Sequence, residues 1–274
     1  TLVGLAAGEL VTRVTRMQPG GLPEAVRRTT LLVIGMIGNN LPDSDLLWSM
    51  GGDRLSYELH HRGYTHTLIG CVLLAVLLYA ATMLWLRCLR HHVNRQEHWL
   101  LAAMSVFSVL LHLGMDALNS YGVHPFWPLD SRWYYGDSVF ILEPLYWLAA
   151  APLLFVLRTV APRVLLGLIL LIGNVAILFV HRFALLWWCI PLVTLLLMWL
   201  GRSRHQRRVA VVSAVLMAGI SAVFLGASSV AARSVDGAVQ SAFPDYQTLD
   251  RIMTPSPAQP LCWDVLVLQR KHDD

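Results

Sequence analysis

The stretch HTLIGCVLLAVLLYAATMLWLR, from His66 to Arg87, is apolar almost throughout. About 20 such residues are needed for a helix to cross the hydrocarbon core of a bilayer. The stretch therefore predicts a transmembrane helix. Its first residue is a histidine, so the helix would carry a side chain of the metal-ligand type at one of its ends.

The composition of the whole chain also indicates a membrane protein. Of the 274 residues, 56% are hydrophobic and only 14% are charged, and the mean hydropathy is +0.55. These values are too apolar for a soluble domain of this length. The formal charge of +4 does not indicate nucleic-acid binding, because the basic residues collect in the joints between apolar runs. The four cysteines form no C-x-x-C pair, so we expect neither a disulfide framework nor a thiolate metal site.

The apolar runs predict an all-α polytopic membrane protein with about six full transmembrane helices and two short N-terminal helices. The short helices are expected at 1–14 and about 29–41, with a loop at 17–28 between them. The full spans are expected at 66–87, 98–118, 139–158, 163–181, 183–200 and 208–230. We expect residues 1–230 to form a helical membrane domain. Residues 231–274 are expected to form a small extracytoplasmic segment containing β structure, because WDVLVL at 263–268 alternates weakly like a strand.

The basic residues predict the orientation of these helices. Thirteen of the 21 lie on one side of the expected arrangement, and eight lie on the other side in longer segments. The thirteen are Arg13, Arg16, Arg27, Arg28, Arg87, Arg90, Arg95, Arg158, Arg163, Arg202, Arg204, Arg207 and Arg208. The positive-inside rule places this side in the cytoplasm and the opposite helix ends outside.

Histidines and carboxylates collect at the outer ends. NNLPDSD at 39–45 is followed by HHRGYTH at 60–66, and His112 stands four residues before Asp116 inside an apolar run. Helical residues four apart share one face, so this pair can bind one ion from one helix. Since histidine and aspartate are ordinary ligands of zinc and similar metals, the pattern predicts a metal site.

Structural explanations stay open for parts of this set. Asp43 and Asp45 could simply begin a helix, where carboxylates complement the helix dipole. His112 and Asp116 could be a polar packing pair, although ionisable residues inside a span are usually functional. Glu143, within VFILEPLYW, invites the same reasoning.

The loop 119–138 is rich in Tyr and Trp, which favour the headgroup level of a membrane and suit a lipid pocket equally well. Arg62 and Arg132 either balance the carboxylates or meet an anionic substrate.

Four motifs together resemble a known family. They are LPDSD at 41–45, HRGYTHTL at 61–68, HLGMDALNSYG at 112–122 and YYGDSVFILEPLYW at 134–147. Their order and spacing resemble the bacterial inner-membrane proteins of the YdjM and YbcI type, regarded as metal-dependent hydrolases. A more distant likeness joins the His and Asp residues to zinc-dependent phospholipase C and the related single-strand nucleases.

The resemblance implies a set of site residues. The implied metal ligands are Asp45 with Asp43, His61, His66, His112 and Asp116, binding one or more zinc or other divalent ions. Glu143 is implied as a further ligand or a base. If the site holds zinc, the chemistry of these side chains allows Asp43 or Glu143 to accept a proton and offers Arg62 and Arg132 as bidentate partners of a phosphate. Members of the family usually carry a Thr-His segment just ahead of the position of Thr1, so we expect one further ligand there.

These expectations favour a membrane-embedded metal-dependent hydrolase in the bacterial inner membrane, cleaving a lipid phosphoester at the extracytoplasmic face. Bound zinc with an open position lowers the pKa of a coordinated water to about 7. Two alternatives remain: a metallohydrolase that cleaves an amide or ester lipid, and a non-enzymatic metal-binding membrane protein. An ion transporter is disfavoured, because spans 163–181 and 183–200 contain no Asp, Glu or Lys.

Overall fold

The computed structural model describes residues 1–16, 19–49, 62–179, 186–202 and 205–271. The helices are α1 Leu2–Val14, α2 Glu24–Gly38, α3 Leu46–Ser49, α4 Leu68–Cys88, α5 Arg95–Asp116, α6 Pro144–Ala150, α7 Leu153–Val156, α8 Val160–Phe179, α9 Leu186–Leu200 and α10 Gln206–Ala242. Two 3-10 helices, Pro42–Asp45 and Tyr64–His66, lie between α2 and α4. Strands β1 Tyr246–Ser256 and β2 Gln259–Lys271 form an antiparallel hairpin.

Within the described residues, three helices are long and apolar enough to cross a membrane: α4, α5 and α10. They correspond to the predicted spans 66–87, 98–118 and 208–230. The other three predicted spans are not confirmed. Span 139–158 is divided into α6 and α7, because Pro152 has no amide hydrogen with which to continue the first helix. Spans 163–181 and 183–200 correspond to α8 and α9, which flank residues 180–185 outside the described part.

Local side-chain chemistry fixes where α4 and α5 begin. The Thr67 hydroxyl accepts a hydrogen bond from the amide of Gly70 and caps α4, whereas the hydroxyl of Thr65 donates to Asp45. Helix α5 begins with a reciprocal capping arrangement between Asn94 and Glu97. Glu97 also accepts from the amide of Leu22, which ties the loop before α2 to the start of α5.

Helix α2 begins earlier than the sequence suggested, so the expected loop at 17–28 is wrong in its second half. Pro23 precedes the first turn of α2, and Arg28 lies buried on this helix instead of in a solvated loop. Its guanidinium Nη2 lies 2.6 Å from Oε1 of Glu9 in α1, a fully buried carboxylate. A buried carboxylate needs partners, and Arg28 on α2 supplies one for Glu9 while Arg13 on α1 supplies the other.

Close backbone packing brings α1, α2 and α5 together. A Cβ atom on either Gly4 or Gly35 would overlap the carbonyl oxygen of the other, so α1 and α2 touch backbone to backbone. At Gly38, a Cβ would overlap the hydroxyl of Ser108. The last turn of α2 therefore lies against α5 one turn before His112. This contact places the segment after α2, which contains Asp43, beside His112.

The C-terminal part consists of the end of α10 and the β1–β2 hairpin. Helix α10 continues to Ala242, and its 37 residues correspond to about 55 Å, against about 30 Å for the hydrocarbon core. The strand predicted at 263–268 is confirmed as part of β2, with β1 as a partner that the sequence did not reveal. Thr254 in β1 donates a hydrogen bond to Ser120, which attaches the hairpin to the loop after α5.

Candidate metal centre

Four ligand-type side chains from three parts of the chain meet at one end of the helix bundle. Asp43 comes from the 3-10 helix after α2, His66 from the 3-10 helix before α4, and His112 and Asp116 from the last turns of α5. One atom from each lies within 4.8 Å of the other three. The group therefore lies where the start of α4 meets the end of α5.

The distances within this group fit a four-coordinate ion. Nε2 of His66 lies 3.2 Å from Nε2 of His112, 3.5 Å from Oδ1 of Asp43 and 3.3 Å from Oδ2 of Asp116. Nε2 of His112 lies 3.4 Å and 3.6 Å from the same two oxygens. A tetrahedral zinc ion with ligands at 2.0–2.1 Å would separate those ligands by about 3.4 Å. Five of the six distances between ligand atoms thus have the length that such an ion requires, and the sixth, between the two carboxylate oxygens, is at most 4.8 Å.

Both imidazoles are oriented with a ring nitrogen towards the centre of the group. Nδ1 of His112 donates to the backbone oxygen of Asn39 at 3.0 Å, and Nδ1 of His66 lies 3.0 Å from the Thr65 hydroxyl. That hydroxyl donates to Asp45, so it accepts from His66. With the hydrogen on Nδ1 in both rings, each Nε2 lone pair is available to a metal ion, as is usual for ligating histidines.

Arg62 supports the carboxylate of Asp116. Its Nη2 lies 3.1 Å from Oδ2 of Asp116, and its Nη1 donates to the side chain of Asn119 and the backbone oxygen of Gly122. Among the described residues, Oδ2 of Asp116 is buried without a hydrogen bond of good geometry. Such an atom retains capacity for a metal bond. The donor set therefore fits a divalent ion.

Contacts among the four side chains determine their protonation. Burial would lower the pKa of His66, but the hydrogen bonds that its ring donates to Asp116, Asp43 and Asp45 raise it to about 10. Burial would raise the pKa of Asp43, but the hydrogen bonds that its carboxylate accepts from His112 and His66 hold it well below its usual range. Without metal the group is thus an ionic cluster, and a metal ion would bind with release of protons from the imidazoles.

The two aspartates of the LPDSD motif lie on different sides of His66. The family resemblance implied Asp45, with Asp43, as ligands, and Asp43 or Glu143 as a proton acceptor. In the structure Asp43 contributes an oxygen to the four-atom group, and Oδ2 of Asp45 lies 3.3 Å from Nδ1 of His66, on the far side of the ring. Asp45 also accepts from the amide of Arg62. Asp45 therefore orients a ligand.

Two other predicted residues lie apart from the group, and one cannot be placed. Arg132 has a 78% exposed side chain and forms its ion pair with Asp130, in the loop after α5. Glu143 is buried and accepts hydrogen bonds from the amides of Leu145 and Ala258. His61 lies outside the described residues.

Glu143 joins the membrane helices to the C-terminal hairpin, and this contact should depend on pH. Burial raises the pKa of Glu143 from 4.5 to about 7, although the two amide hydrogen bonds oppose the rise. A raised pKa means that the protonated carboxyl contributes stability below about pH 4.5, and that this contribution is lost as the pH rises to about 7.

We therefore expect Glu143→Gln, which keeps a neutral acceptor, to be more stable than the native chain above pH 7 by up to about 3 kcal/mol. Below about pH 4.5 the two should be equally stable. Thermal denaturation across this pH range in detergent measures the difference. A difference in stability between the two proteins that is the same at all pH values would show that the pKa of Glu143 is not raised in the folded protein.

Sequence reasoning missed Asn39 and Thr65 as parts of the site. Asn39 acts through its backbone oxygen, which every residue type has, so no side-chain pattern could reveal it. Thr65 directly precedes His66 in the THT run, and that adjacency is the signal that could have identified it.

Fold and site together define a helical membrane protein with a group of four side chains that could hold a metal ion at one end of its bundle. The sequence matches the family described as YdjM inner membrane protein over residues 1–188, and the chain belongs to that family. The matched part contains all four residues of the metal group, whereas α10 and the hairpin lie beyond it. No curated protein and no solved structure matches the chain.

Proposed function

We propose that this protein is a metal-dependent hydrolase that cleaves a lipid phosphoester at the extracytoplasmic face of the inner membrane. The observation that carries the proposal is the group Asp43, His66, His112 and Asp116, whose atoms are spaced for one ion at a helix end. Ionisable residues in this position are costly and usually functional.

The proposed metal is zinc. Two imidazole nitrogens and two carboxylate oxygens with near-tetrahedral spacing suit zinc better than magnesium or calcium, which prefer six or more oxygen ligands. When bound, zinc would supply a coordinated water of lowered pKa and would polarise the phosphoester.

The chain's own residues would prepare this chemistry. Asp45 and the Asn39 carbonyl hold the two imidazoles in place, and Arg62 balances the charge of Asp116. Asp43 is the most exposed member of the group, with 38% of its side chain accessible, so solvent and substrate reach the site from its side. Its carboxylate is placed to accept a proton there.

Two features support a lipid substrate on the outer side. The arginine-bearing joints, such as Arg87 to Arg95 between α4 and α5, lie at the helix ends away from the metal group, and such joints are normally cytoplasmic. The loop after α5 exposes aromatic rings suited to the headgroup level, namely Tyr121, Phe126, Trp127, Trp133, Tyr134 and Tyr135.

One observation favours a second candidate, a non-enzymatic metal-binding protein. Four protein ligands complete a tetrahedral zinc ion, as in structural sites, whereas catalytic sites keep one position open. The exposure of Asp43 favours the enzyme, because a solvent-facing carboxylate can yield its position to water.

The test uses the full chain in lipid nanodiscs, loaded with zinc and offered phospholipids, a phosphorylated lipid carrier and an amide-linked lipid in turn. We expect release of the phosphorylated or dephosphorylated headgroup product, detected by mass spectrometry, and its loss in His112→Ala. Zinc-loaded protein that leaves all phosphoesters intact would contradict the proposal. Release of fatty acid from the amide-linked lipid would then indicate an amidase, and no product at all would indicate the non-enzymatic protein.

A further inference from the structure

An apolar groove separate from the metal group runs between α1, α5, α6 and α10. Its volume is about 520 Å³, within the range of ordinary ligand pockets. Alanines at Ala7, Ala214 and Ala218 leave this space unfilled, and Ala218 and Phe107 face outward along its open side. The groove is continuous there with the apolar surface of α5 and α10, so a membrane lipid could enter it sideways.

The side chains that line the groove favour a hydrocarbon ligand. The polar side chains in the groove are the Tyr146 hydroxyl and the Ser221 hydroxyl, which lie 2.7 Å apart and bond each other. All other lining side chains are apolar. A ligand with polar groups along its length would lose its hydration here without compensation, whereas a hydrocarbon chain would lose nothing.

The length of the groove fits one leaflet. On α10 it extends from Ala214 to Leu225, which is about 16 Å of helix. This is about half of the 30 Å hydrocarbon core. The groove therefore has about the length of a single acyl chain in one leaflet.

The outer end of the groove lies at the level of the metal group. Met115 lines that end and directly precedes Asp116 on α5. Val3 lines it on α1, two residues after Thr1, whose amino group donates to the side chain of Asn39. The Asn39 carbonyl in turn holds His112. A chain lying in the groove would therefore bring its headgroup to the depth of the metal site.

We propose that this groove binds one acyl chain of a membrane lipid. That this lipid is also the substrate rests on the proposed function, whereas occupancy of the groove does not.

The test uses the full chain in phosphatidylcholine nanodiscs containing a fraction of phosphatidylcholine with a photoreactive diazirine in its acyl chain. After irradiation, labelled residues are mapped by mass spectrometry. Ala6 and Ala7 on α1 are buried within the protein and line the groove, so their labelling reports occupancy. Leu77 on α4 is 64% exposed and outside the groove, so its labelling is the internal reference for protein that is folded and inserted.

We expect Ala218→Phe, which fills the groove, to lower the ratio of α1 label to Leu77 label about tenfold. The Phe ring would displace about two methylene groups of the lipid chain, and the loss of their burial weakens binding by about that factor. The control is Val215→Phe, at a 63% exposed position on α10 outside the groove, which should leave the ratio unchanged. Absence of α1 label in the native chain, with Leu77 labelled, would mean that no acyl chain occupies the groove and would overturn the proposal. An equal ratio in Ala218→Phe and the native chain would overturn it too. Label on α1 without hydrolysis of any lipid would leave the groove assignment intact and reject the proposed function.

Discussion

His112→Ala is expected to weaken zinc binding by about 100-fold or more. The apparent free energy of a four-ligand zinc site is about 10–16 kcal/mol, so one ligand accounts for roughly 3 kcal/mol. His112, on α5, contributes one of the four central atoms, and the Asn39 carbonyl at the end of α2 holds its ring in place. Competition with a zinc chelator of known affinity measures the change.

The matched control for this prediction is His98→Ala. His98 lies near the start of the same helix, at the other end of the bundle, where Nδ1 lies 2.8 Å from the hydroxyl of Tyr79. Its loss should leave zinc affinity unchanged. If both variants bind zinc as tightly as the native chain, the group at the end of α5 is a polar packing network and not a metal site.

Arg62→Ala is expected to destabilise the metal-free protein by about 3–5 kcal/mol, the cost of leaving a buried charge without its partner. Arg62 is 5% exposed and compensates the carboxylate of Asp116, while its hydrogen bonds to Asn119 and Gly122 fix the loop after α5. Thermal denaturation in detergent after chelator treatment measures the effect.

Arg132→Ala is the control for Arg62→Ala. Arg132 is exposed and pairs with Asp130 in solvent, where ion pairs contribute little, so we expect no measurable change in melting temperature. Equal melting temperatures for the native chain and Arg62→Ala would show that Arg62 does not balance a buried charge.

The parts of the fold that could be predicted are those decided by local sequence. An apolar run bounded by polar caps predicts α4 and α5 within a few residues, because nothing else satisfies their backbone in a bilayer. Hydropathy failed at 139–158, where the composition suits a span but Pro152 interrupts the helix. It also failed at Arg28, whose burial depends on a carboxylate 19 residues earlier in the chain.

The metal site likewise contains contacts that the sequence predicts and contacts that it does not. The pair His112 and Asp116 could be predicted because four-residue spacing on one helix fixes their relation in space. The roles of Asp43 and Asp45 could not be predicted, because they depend on which side of the His66 ring each one reaches. The attachment of Glu143 to the hairpin depends on Ala258, a contact between distant parts of the chain.

The most direct test of the central claim is X-ray absorption at the zinc edge on the purified, zinc-loaded chain. We expect about two imidazole nitrogens and a remainder of carboxylate or water oxygens at about 2.0–2.1 Å, and loss of the imidazole signal in the double variant His66→Ala, His112→Ala. A spectrum without imidazole ligands, or one that is identical in the native chain and the double variant, would contradict the assignment of this group as a metal centre.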